Sequence, residues 1–410
     1  MFVLKGFYAL SNMQMSNRLK SYLKKIIKIF RRVFYNKIII NPEYNYKIIT
    51  YEKSHLIAGY YDKTPISKSG KYIILLAINE KKNKNARILC FDITKLSNPP
   101  KCLGDTEIWS WQLGSRLLWF KNDHKIGYNC IYKNKPSFII KNFKTKKILN
   151  VIPLLIYDFN PTFSKAVTLD FGDLYRKRPG YGFDIKTHIK GILLYDIIKK
   201  KKKLLYSIED ARKRLPDSFE KSSSHYFNHI SWSKNPNFFI FFHLWTFQKK
   251  KYNQVLLYDV QNNKIEPITD YNEITSHYTW TKDDKLILTI ERNKVINYYI
   301  VNIITKKRTL LDFFPINLDG HPTQNPINVN QFITDSYADY LEEQSLFLVD
   351  LKKKKLNKIC KVFAPNEFTG QNKCDLHPRW SEDGKIICCD SNINGKREIL
   401  LIKKTIFKEN

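Results

Sequence analysis

A repeated unit limits the fold of this 410-residue chain more than any other feature. Each copy has a polar or aromatic anchor, a short strand, a polar turn, a hydrophobic strand, a loop, and a strand that ends near Asp. The clearest copy runs through 376–380, 386–390 and 397–402. The anchors lie near residues 61, 111, 158, 229, 277, 321 and 377. Seven units of short strands at this period predict an all-β, seven-bladed β-propeller, whose stacked blades bury faces that one copy cannot bury alone.

The anchors also predict the domain organisation. Their spacing is mostly 44–56 residues and widens to 71 after residue 158, where a loop holding 176–182 intervenes. The segment 36–54 is strand-like, and we expect it to supply the outer strand of the last blade and close the ring. The chain therefore divides into a basic helix over 1–36 and a propeller over 37–410.

The N-terminal segment is strongly cationic. Residues 1–40 carry nine Lys or Arg and no acid, and apolar residues recur at three- and four-residue spacing over 19–34. This pattern predicts a short amphipathic helix, which can bind an anionic membrane surface through residues 16–36 or pack on the propeller. The chain has no signal-peptide pattern and no run of roughly 18–20 apolar residues. We expect a cytoplasmic protein, with attachment to the inner membrane as the alternative.

The distribution of charge and of cysteine limits the kinds of partner and the cell compartment to be expected. The formal net charge is +32, from 70 Lys and Arg against 38 Asp and Glu. The lysines are scattered through turns such as 200–203 and 352–355, which disfavours a nucleic-acid interface. The seven Cys show no CxxC spacing, so we expect reduced, mostly buried thiols, as in cytoplasmic proteins.

The repeat predicts a polar site at one end of the channel. If each anchor precedes the innermost strand of its blade, anchor side chains and second-strand ends meet at a shared rim. Five imidazoles are then expected together: His229, His243, His277, His321 and His377. Imidazole is a common metal ligand and general base. A structural alternative stays open for each, because a histidine at the start of a blade can hydrogen-bond the next blade; the remaining histidines include His124, His188 and His225, interpreted as loop residues.

Other polar and aromatic side chains are expected to bind substrate at the same rim. These are Tyr61, Asp62, Trp111, Gln112, Arg116, Arg176, Tyr181, His243 and Arg379. Arginine offers a planar pair of donors to a carboxylate or phosphate, and aromatic rings can stack on sugars. Core packing is the alternative for the tryptophan.

Several segments resemble a known group of proteins. They are 59–65, 111–114, 178–182, 225–230, 242–245 and 375–381. They resemble bacterial β-propellers with TolB-type repeats that accompany surface-polysaccharide biosynthesis and are distantly similar to oligogalacturonate lyase. The resemblance covers 55–402 and leaves out the N-terminal helix. It implies a propeller funnel that holds a divalent metal, Mn or similar, and performs β-elimination on uronate chains.

The resemblance also implies residue roles. His229 matches the base and Arg178 the assisting cation, while His277, His321 and His377 match metal-ligand blades. The lyase ligand run Gln-x-x-His-x-His is not intact, which leaves both metal binding and lyase activity open.

The expected function is therefore a carbohydrate-binding or carbohydrate-modifying propeller in capsular or lipopolysaccharide biosynthesis. Its partner would be an acidic glycan or a lipid-linked saccharide. If it is an enzyme, we expect metal-assisted β-elimination. A non-catalytic scaffold for polysaccharide-assembly proteins is the first alternative, and a glycosyltransferase-associated protein is the second, although no Gly-rich nucleotide-binding unit is present.

Overall fold

Seven antiparallel sheets form the protein in the computed structural model, which describes residues 22, 25–26, 37–79, 85–120, 123–365, 368 and 370–405. The sheets are the blades of a seven-bladed β-propeller, so the predicted fold class is confirmed. Tyr22, Lys25 and Ile26 are helical, and the rest of the predicted N-terminal helix lies outside the described residues. Within the described residues, no helix has the length and apolar character needed to span a membrane.

The strands follow one another blade by blade. Two strands precede the first complete blade: β1 (Ile38–Ile40) and β2 (Tyr44–Ile49). Blades one to three contain β3 (His55–Ile57), β4 (Tyr72–Ile78), β5 (Ala86–Asp92) and β6 (Lys101–Thr106); β7 (Leu118–Trp119), β8 (Lys125–Tyr132), β9 (Lys135–Asn142) and β10 (Ile148–Ile152); and β11 (Asp158–Phe159), β12 (Lys165–Thr168), β13 (Gly191–Asp196) and β14 (Lys201–Ser207). Blades four and five contain β15 (Ser223–Trp232), β16 (Phe238–Phe247), β17 (Lys250–Asp259) and β18 (Lys264–Pro267); and β19 (Ile274–Trp280), β20 (Lys285–Arg292), β21 (Val295–Asn302) and β22 (Arg308–Leu310). Blades six and seven contain β23 (Thr323–Gln324), β24 (Gln331–Asp335), β25 (Glu343–Asp350) and β26 (Lys355–Phe363); and β27 (Arg379–Trp380), β28 (Ile386–Ser391) and β29 (Glu398–Lys404).

The two ends of the described chain close the ring. β2 pairs antiparallel with β29, from Tyr44 opposite Lys404 to Ile49 opposite Ile399, and becomes the outer strand of blade seven. This confirms the predicted closure. The preceding β1 instead pairs with β26 as a fifth strand of blade six. Because the last blade needs strands from both ends, the ring is closed by backbone hydrogen bonds rather than left with an open edge.

Stacking between blades explains the continuous apolar strands. β4 is buried on both faces. Its Ile73 and Leu75 share a core cluster with Leu401 of blade seven, whereas Ile74 and Leu76 pack with residues of blade two. A strand that alternates between two buried interfaces needs no polar face, so its sequence reads as an unbroken hydrophobic run.

Two short helices account for the wide spacing between the third and fourth anchors. α1 (Phe171–Lys177) lies between the second and third strands of blade three, and the Asp170 carboxylate caps it by accepting from the Asp173 N–H. α2 (Ile208–Lys213) follows β14 and begins with a capping box at Ser207. Short 3₁₀ helices occupy Asp217–Phe219 and Gly370–Asn372. Six of the seven cysteines are buried, and all seven are free thiols.

A buried ion pair joins the first three blades. Arg116 donates to both carboxylate oxygens of Asp62 at 2.9 and 2.8 Å, and its Nε donates to the Tyr157 carbonyl at 2.7 Å. Both charged side chains are almost completely buried. Asp62 and Arg116, both predicted to bind substrate, therefore neutralise each other's charge inside the protein.

We expect Asp62→Ala to lower the free energy of unfolding by about 3–5 kcal/mol, because it leaves the Arg116 guanidinium buried without its counterion. Chemical denaturation measures this change. Glu52→Ala is the matched control, since Glu52 pairs with Arg87 at 3.5 Å on the surface and its loss should cost less than about 1 kcal/mol. Equal effects of the two variants would contradict the assignment.

Candidate functional site

Four blades each place one imidazole at the same point of the channel. His229 and His277 lie in β15 and β19, and His321 and His377 each lie two residues before the first residue of β23 and β27. Ring centroids are 4.1 Å apart for His277 and His321, and 4.3 Å apart for His321 and His377. Tyr60 links the fourth ring, with its centroid 5.3 Å from His229 and 5.4 Å from His377. These four histidines, each no more than 5% exposed, are called the histidine cluster.

Carboxylates orient two rings of the cluster. His277 Nδ1 is 2.8 Å from Asp319 Oδ1, and His321 Nδ1 lies 2.9 and 3.0 Å from the two oxygens of Asp335. The Asp335 carboxylate also accepts from the backbone N–H groups of His321 and His377, at 2.7 and 3.1 Å. A carboxylate on one ring nitrogen fixes the tautomer and directs the other nitrogen toward a ligand.

Burial controls the protonation of this pair. It raises the pKa of Asp335 to about 6, even though backbone N–H groups donate to the carboxylate. Burial, followed by the neighbouring His277 and His377, holds the pKa of His321 well below its ordinary value. His321 is therefore neutral near pH 7, the form in which imidazole binds metals.

Three side chains could hold a metal ion. One potential ligand atom each from His321, Asp375 and His377 lies within 4.8 Å of the others. Both ring nitrogens of His377 are buried and have no hydrogen-bond partner among the described residues, and its Nδ1 lies 3.5 Å from Asp390. Buried polar atoms normally have a partner, so the unpaired nitrogens of His377 next to His321 and Asp375 fit a bound cation. A mixed nitrogen and oxygen donor set suits Mn²⁺ among other divalent ions.

Aromatic side chains separate the histidine cluster from a neighbouring cavity. The Tyr61 hydroxyl donates to the Tyr278 carbonyl at 2.8 Å and accepts from the Tyr278 N–H at 2.9 Å. The Tyr61 ring centroid lies 5.1–6.2 Å from those of His277, His321 and His377. The two tyrosines also line a separate cavity of about 530 Å³ that includes Asp62 and Lys63. Tyr61 thus lies between the histidine cluster and this cavity.

The predicted base and its predicted cation lie close together. His229 has a positive φ of 52°, its N–H donates to the Tyr157 hydroxyl, and its Nδ1 is buried with no hydrogen-bond partner among the described residues. Burial, followed by the charge of Arg178, holds the pKa of His229 well below its ordinary value. The Arg178 Cζ is 4.2 Å from the ring centroid of Tyr181, which in turn lies 5.3 Å from that of His229. A neutral base, a cation and an aromatic ring therefore occupy one side of the site.

Two other predicted residues hold the loop that carries Arg178. The Gln112 N–H donates to the Gly180 carbonyl at 3.1 Å. The Trp111 ring packs so closely on Gly180 that a Cβ there would lie 2.8 Å from it. Gly180 also has a φ of 103°, which favours glycine. Trp111 and Gln112 thus position the loop from blade two.

Two predicted substrate-binding arginines are bound by other groups of the protein. Arg379 is buried and donates to Asp390 at 3.0 Å and to the carbonyls of Gly59 and Tyr60, so it supports the segment that carries Tyr60. Arg176 is exposed and pairs with Asp173 at 3.4 Å. Neither guanidinium is directed by these contacts toward the cluster.

His243 was predicted at the shared rim, but it does not belong to the histidine cluster. Successive residues of β16 point to opposite faces, and the ring centroid of Phe242 lies 5.0 Å from that of His229. His243 therefore faces the other side, where its Nε2 is 3.0 Å from Nδ1 of His225. His225 is buried within β15 and is not a loop residue.

This pair predicts an acid-sensitive term in stability. Burial lowers the pKa of His243 from 6.5 to about 3, so below pH 6.5 the unfolded chain binds a proton that the folded protein does not. The free energy of unfolding therefore decreases as the pH falls from about 6.5 towards 3. We expect wild-type protein to lose about 2 kcal/mol more than His243→Asn between about pH 6.5 and pH 5, measured by denaturant unfolding. His124→Asn, at an exposed loop position, should keep the wild-type slope. Parallel curves for wild type and His243→Asn would contradict this.

The sequence prediction did not include several site residues: Tyr60, Tyr278, Asp319, Tyr337 and Asp375. A signal for two of them was present, because the last two anchors both read Asp-x-His, at 319–321 and 375–377. Tyr60 adjoins the predicted Tyr61. Tyr337, whose hydroxyl is 3.5 Å from His277 Nε2, follows β24 and had no sequence signal.

The fold and this cluster define a seven-bladed β-propeller with a histidine- and carboxylate-rich site in its channel. Among solved structures, the chain is similar to an oligogalacturonate lyase in complex with manganese, with 11% identity, a TM-score of 0.65, and coverage of 90% of this chain and 98% of that chain. An oligogalacturonate lyase from Vibrio parahaemolyticus gives 13% identity, a TM-score of 0.64 and the same coverage. TolB from Acinetobacter baumannii gives 13% identity and a TM-score of 0.40, covering 84% of this chain and 70% of that chain. No protein-family model and no curated protein sequence matches the chain. The likeness to the two lyases shows a shared fold.

Proposed function

We propose that the protein binds an acidic saccharide in its channel and cleaves it by metal-assisted β-elimination. The observation that carries this proposal is the histidine cluster, in which His277, His321 and His377 meet on one side while the neutral His229 lies near the Arg178 guanidinium. The fold shared with oligogalacturonate lyase is consistent with that chemistry.

His321, Asp375 and His377 would hold the divalent ion, with Mn²⁺ as the first candidate. When bound, such an ion offsets the negative charge of a uronate carboxylate and so makes the neighbouring carbon–hydrogen bond more acidic. Asp335 orients His321 for this role. His277 lies beside the ligand group with its own orienting carboxylate, Asp319.

His229 would act as the base. Its Nε2 lies 3.3 Å from the Asn228 amide nitrogen, which can only donate, so the neutral ring carries its lone pair on Nε2. This nitrogen would accept a proton from the carbon next to the uronate carboxylate once substrate replaces the long Asn228 contact. The nearby Arg178 charge disfavours a protonated imidazole, which keeps the base in its active form at neutral pH. Arg178 would also donate to the substrate carboxylate, while Tyr181 offers a ring face for the sugar.

The direct test is incubation of the purified protein with oligogalacturonate, with Mn²⁺ and with a chelator. We expect ultraviolet absorbance from unsaturated uronate to appear only with the metal. Metal-replete protein that forms no such product would remove the lyase activity on this substrate.

A non-catalytic receptor for acidic glycans is the second candidate. The observation that favours it is the altered ligand run: Leu318 and Asp319 precede His321, so the Gln-x-x-His-x-His run of the lyases is not intact here. Calorimetry with oligogalacturonate separates the two, because a receptor binds the chain without releasing product.

We also propose a setting in surface-polysaccharide biosynthesis at the cytoplasmic face of the inner membrane. The segment resemblance over 55–402 and the basic segment 16–36 support it. Co-sedimentation with anionic vesicles tests the membrane part, since full-length protein should bind them and a variant with neutral residues at the basic positions of 16–36 should not.

A further inference from the structure

A second site is built beside the propeller on the helices of blade three. There α1, α2 and the segment before β15 line an open groove with a volume of about 940 Å³. This volume is within the range of small-molecule sites. Ser222 lies in its wall, together with Arg212 of α2 and Asp170 and Asp173 at the start of α1. The histidine cluster contributes no residue to this groove.

A chain of hydrogen bonds leads from this wall into the protein. Ser222 Oγ is 3.1 Å from Nε2 of His225, and Nδ1 of the same ring is 3.0 Å from Nε2 of His243. Both imidazoles are buried, and their ring centroids are 5.2 Å apart. A hydroxyl, an imidazole and a second group that orients the imidazole form the arrangement of an activated nucleophile.

The surroundings keep the central imidazole neutral. Burial lowers the pKa of His225; a hydrogen bond with the Ser222 backbone opposes this shift, and the charges of Arg212 and Lys177 add to it. Lys177 Nζ also donates to the His225 carbonyl at 2.6 Å, which fixes the backbone beneath the ring. Burial lowers the pKa of His243 to about 3, so this ring stays neutral and can accept from Nδ1–H of His225.

We propose that Ser222, His225 and His243 form a second active site that hydrolyses carboxylic esters. Ser222 is the nucleophile, His225 the general base, and His243 the positioning residue behind it. This activity is independent of the proposed lyase chemistry and needs no metal.

Water is the only reactant that the reaction needs besides the ester. Ser222 Oγ bonds to the ester carbonyl carbon as its proton passes to Nε2 of His225, and the carbonyl electron pair moves onto oxygen near the Arg212 guanidinium. Collapse of this intermediate breaks the bond to the alcohol, which leaves with the proton from His225. Water then gives a proton to His225 and bonds to the acyl carbon, and release of the acid returns the proton to Ser222.

The experiment uses full-length protein with p-nitrophenyl acetate and a fluorophosphonate probe. We expect hydrolysis that a chelator does not inhibit, and a phosphonyl adduct on Ser222 identified by peptide mass spectrometry. Ser222→Ala and His225→Asn should each lower the rate by at least about 100-fold. Ser223→Ala is the matched control, since this neighbouring serine is exposed, and it should keep both the rate and the adduct.

His243→Asn tests the positioning role. We expect a smaller fall in rate and a shifted acid limb of the pH–rate profile, which a purely structural contact would not produce. Wild-type protein that is folded by circular dichroism but forms no Ser222 adduct would overturn the proposal, whether or not the lyase assay succeeds. An adduct that persists in His225→Asn at the wild-type rate would overturn it as well.

Discussion

His229→Asn is expected to lower the rate of oligogalacturonate cleavage by about 10²–10⁴-fold, the range that loss of a general base produces. The expectation follows from the surroundings of the ring. His229 is only 2% exposed, and burial together with Arg178 disfavours its charged form, so it is an unprotonated base at neutral pH. Asparagine keeps a polar group of similar reach but cannot accept the proton. Initial rates of unsaturated uronate formation measure the change.

The design separates catalysis from metal binding. His229 is not in the group formed by His321, Asp375 and His377, so His229→Asn should bind Mn²⁺ as wild type does. His124→Asn is the control, because His124 is exposed in a loop of blade two and should keep full activity. A His229→Asn protein that retains wild-type turnover would exclude this residue as the base. Lost turnover together with lost metal would instead indicate a structural role.

Asp375→Asn is expected to abolish the stabilisation that Mn²⁺ gives the wild-type protein. A ligand at a concentration 100 times its Kd stabilises the folded state by about 2.7 kcal/mol, because it binds the folded state alone. Asp375 is partly buried, and the only hydrogen bond to its side chain among the described residues comes from Gln344 at a long 3.4 Å, so the substitution should leave the metal-free protein folded. Thermal unfolding with and without Mn²⁺ measures the effect.

The matched control is Asp105→Asn, which removes an exposed carboxylate from β6 and should keep the full metal response. His277→Asn tests the ligand set that the sequence resemblance implied, since His277 lies next to His321 but outside the group that could hold the ion. A full metal response in Asp375→Asn would contradict the ligand assignment.

The period of the repeat was sufficient to predict the fold. Seven anchors predicted the blade number, and the strand-like segment 36–54 predicted the closing strand, which is β2 paired with β29. Four anchor histidines converged as expected, because equivalent positions in successive blades face the same channel. These features depend on periodicity, which a sequence shows directly.

The errors have a different physical origin. In β16 a shift of one residue decides which face of the sheet a side chain occupies. The pairing of β15 with β16 contains bulges, which a sequence does not reveal. His243 was therefore predicted on the face of His229, although it lies on the opposite face. Arg116 and Arg379 bind backbone carbonyls as well as acids. Whether an arginine meets a ligand or a carbonyl depends on the path of the loops, and one sequence does not reveal that path. Asp375 is a different case, because the Asp-x-His pattern of the last two anchors already pointed to it.

The most direct test of a shared channel site is a crystal of the protein grown with Mn²⁺ and measured at the manganese absorption edge. We predict one anomalous peak among His321, Asp375 and His377, close to the ring of His277. A peak elsewhere in the molecule, or histidines from different blades found on separate faces, would contradict it.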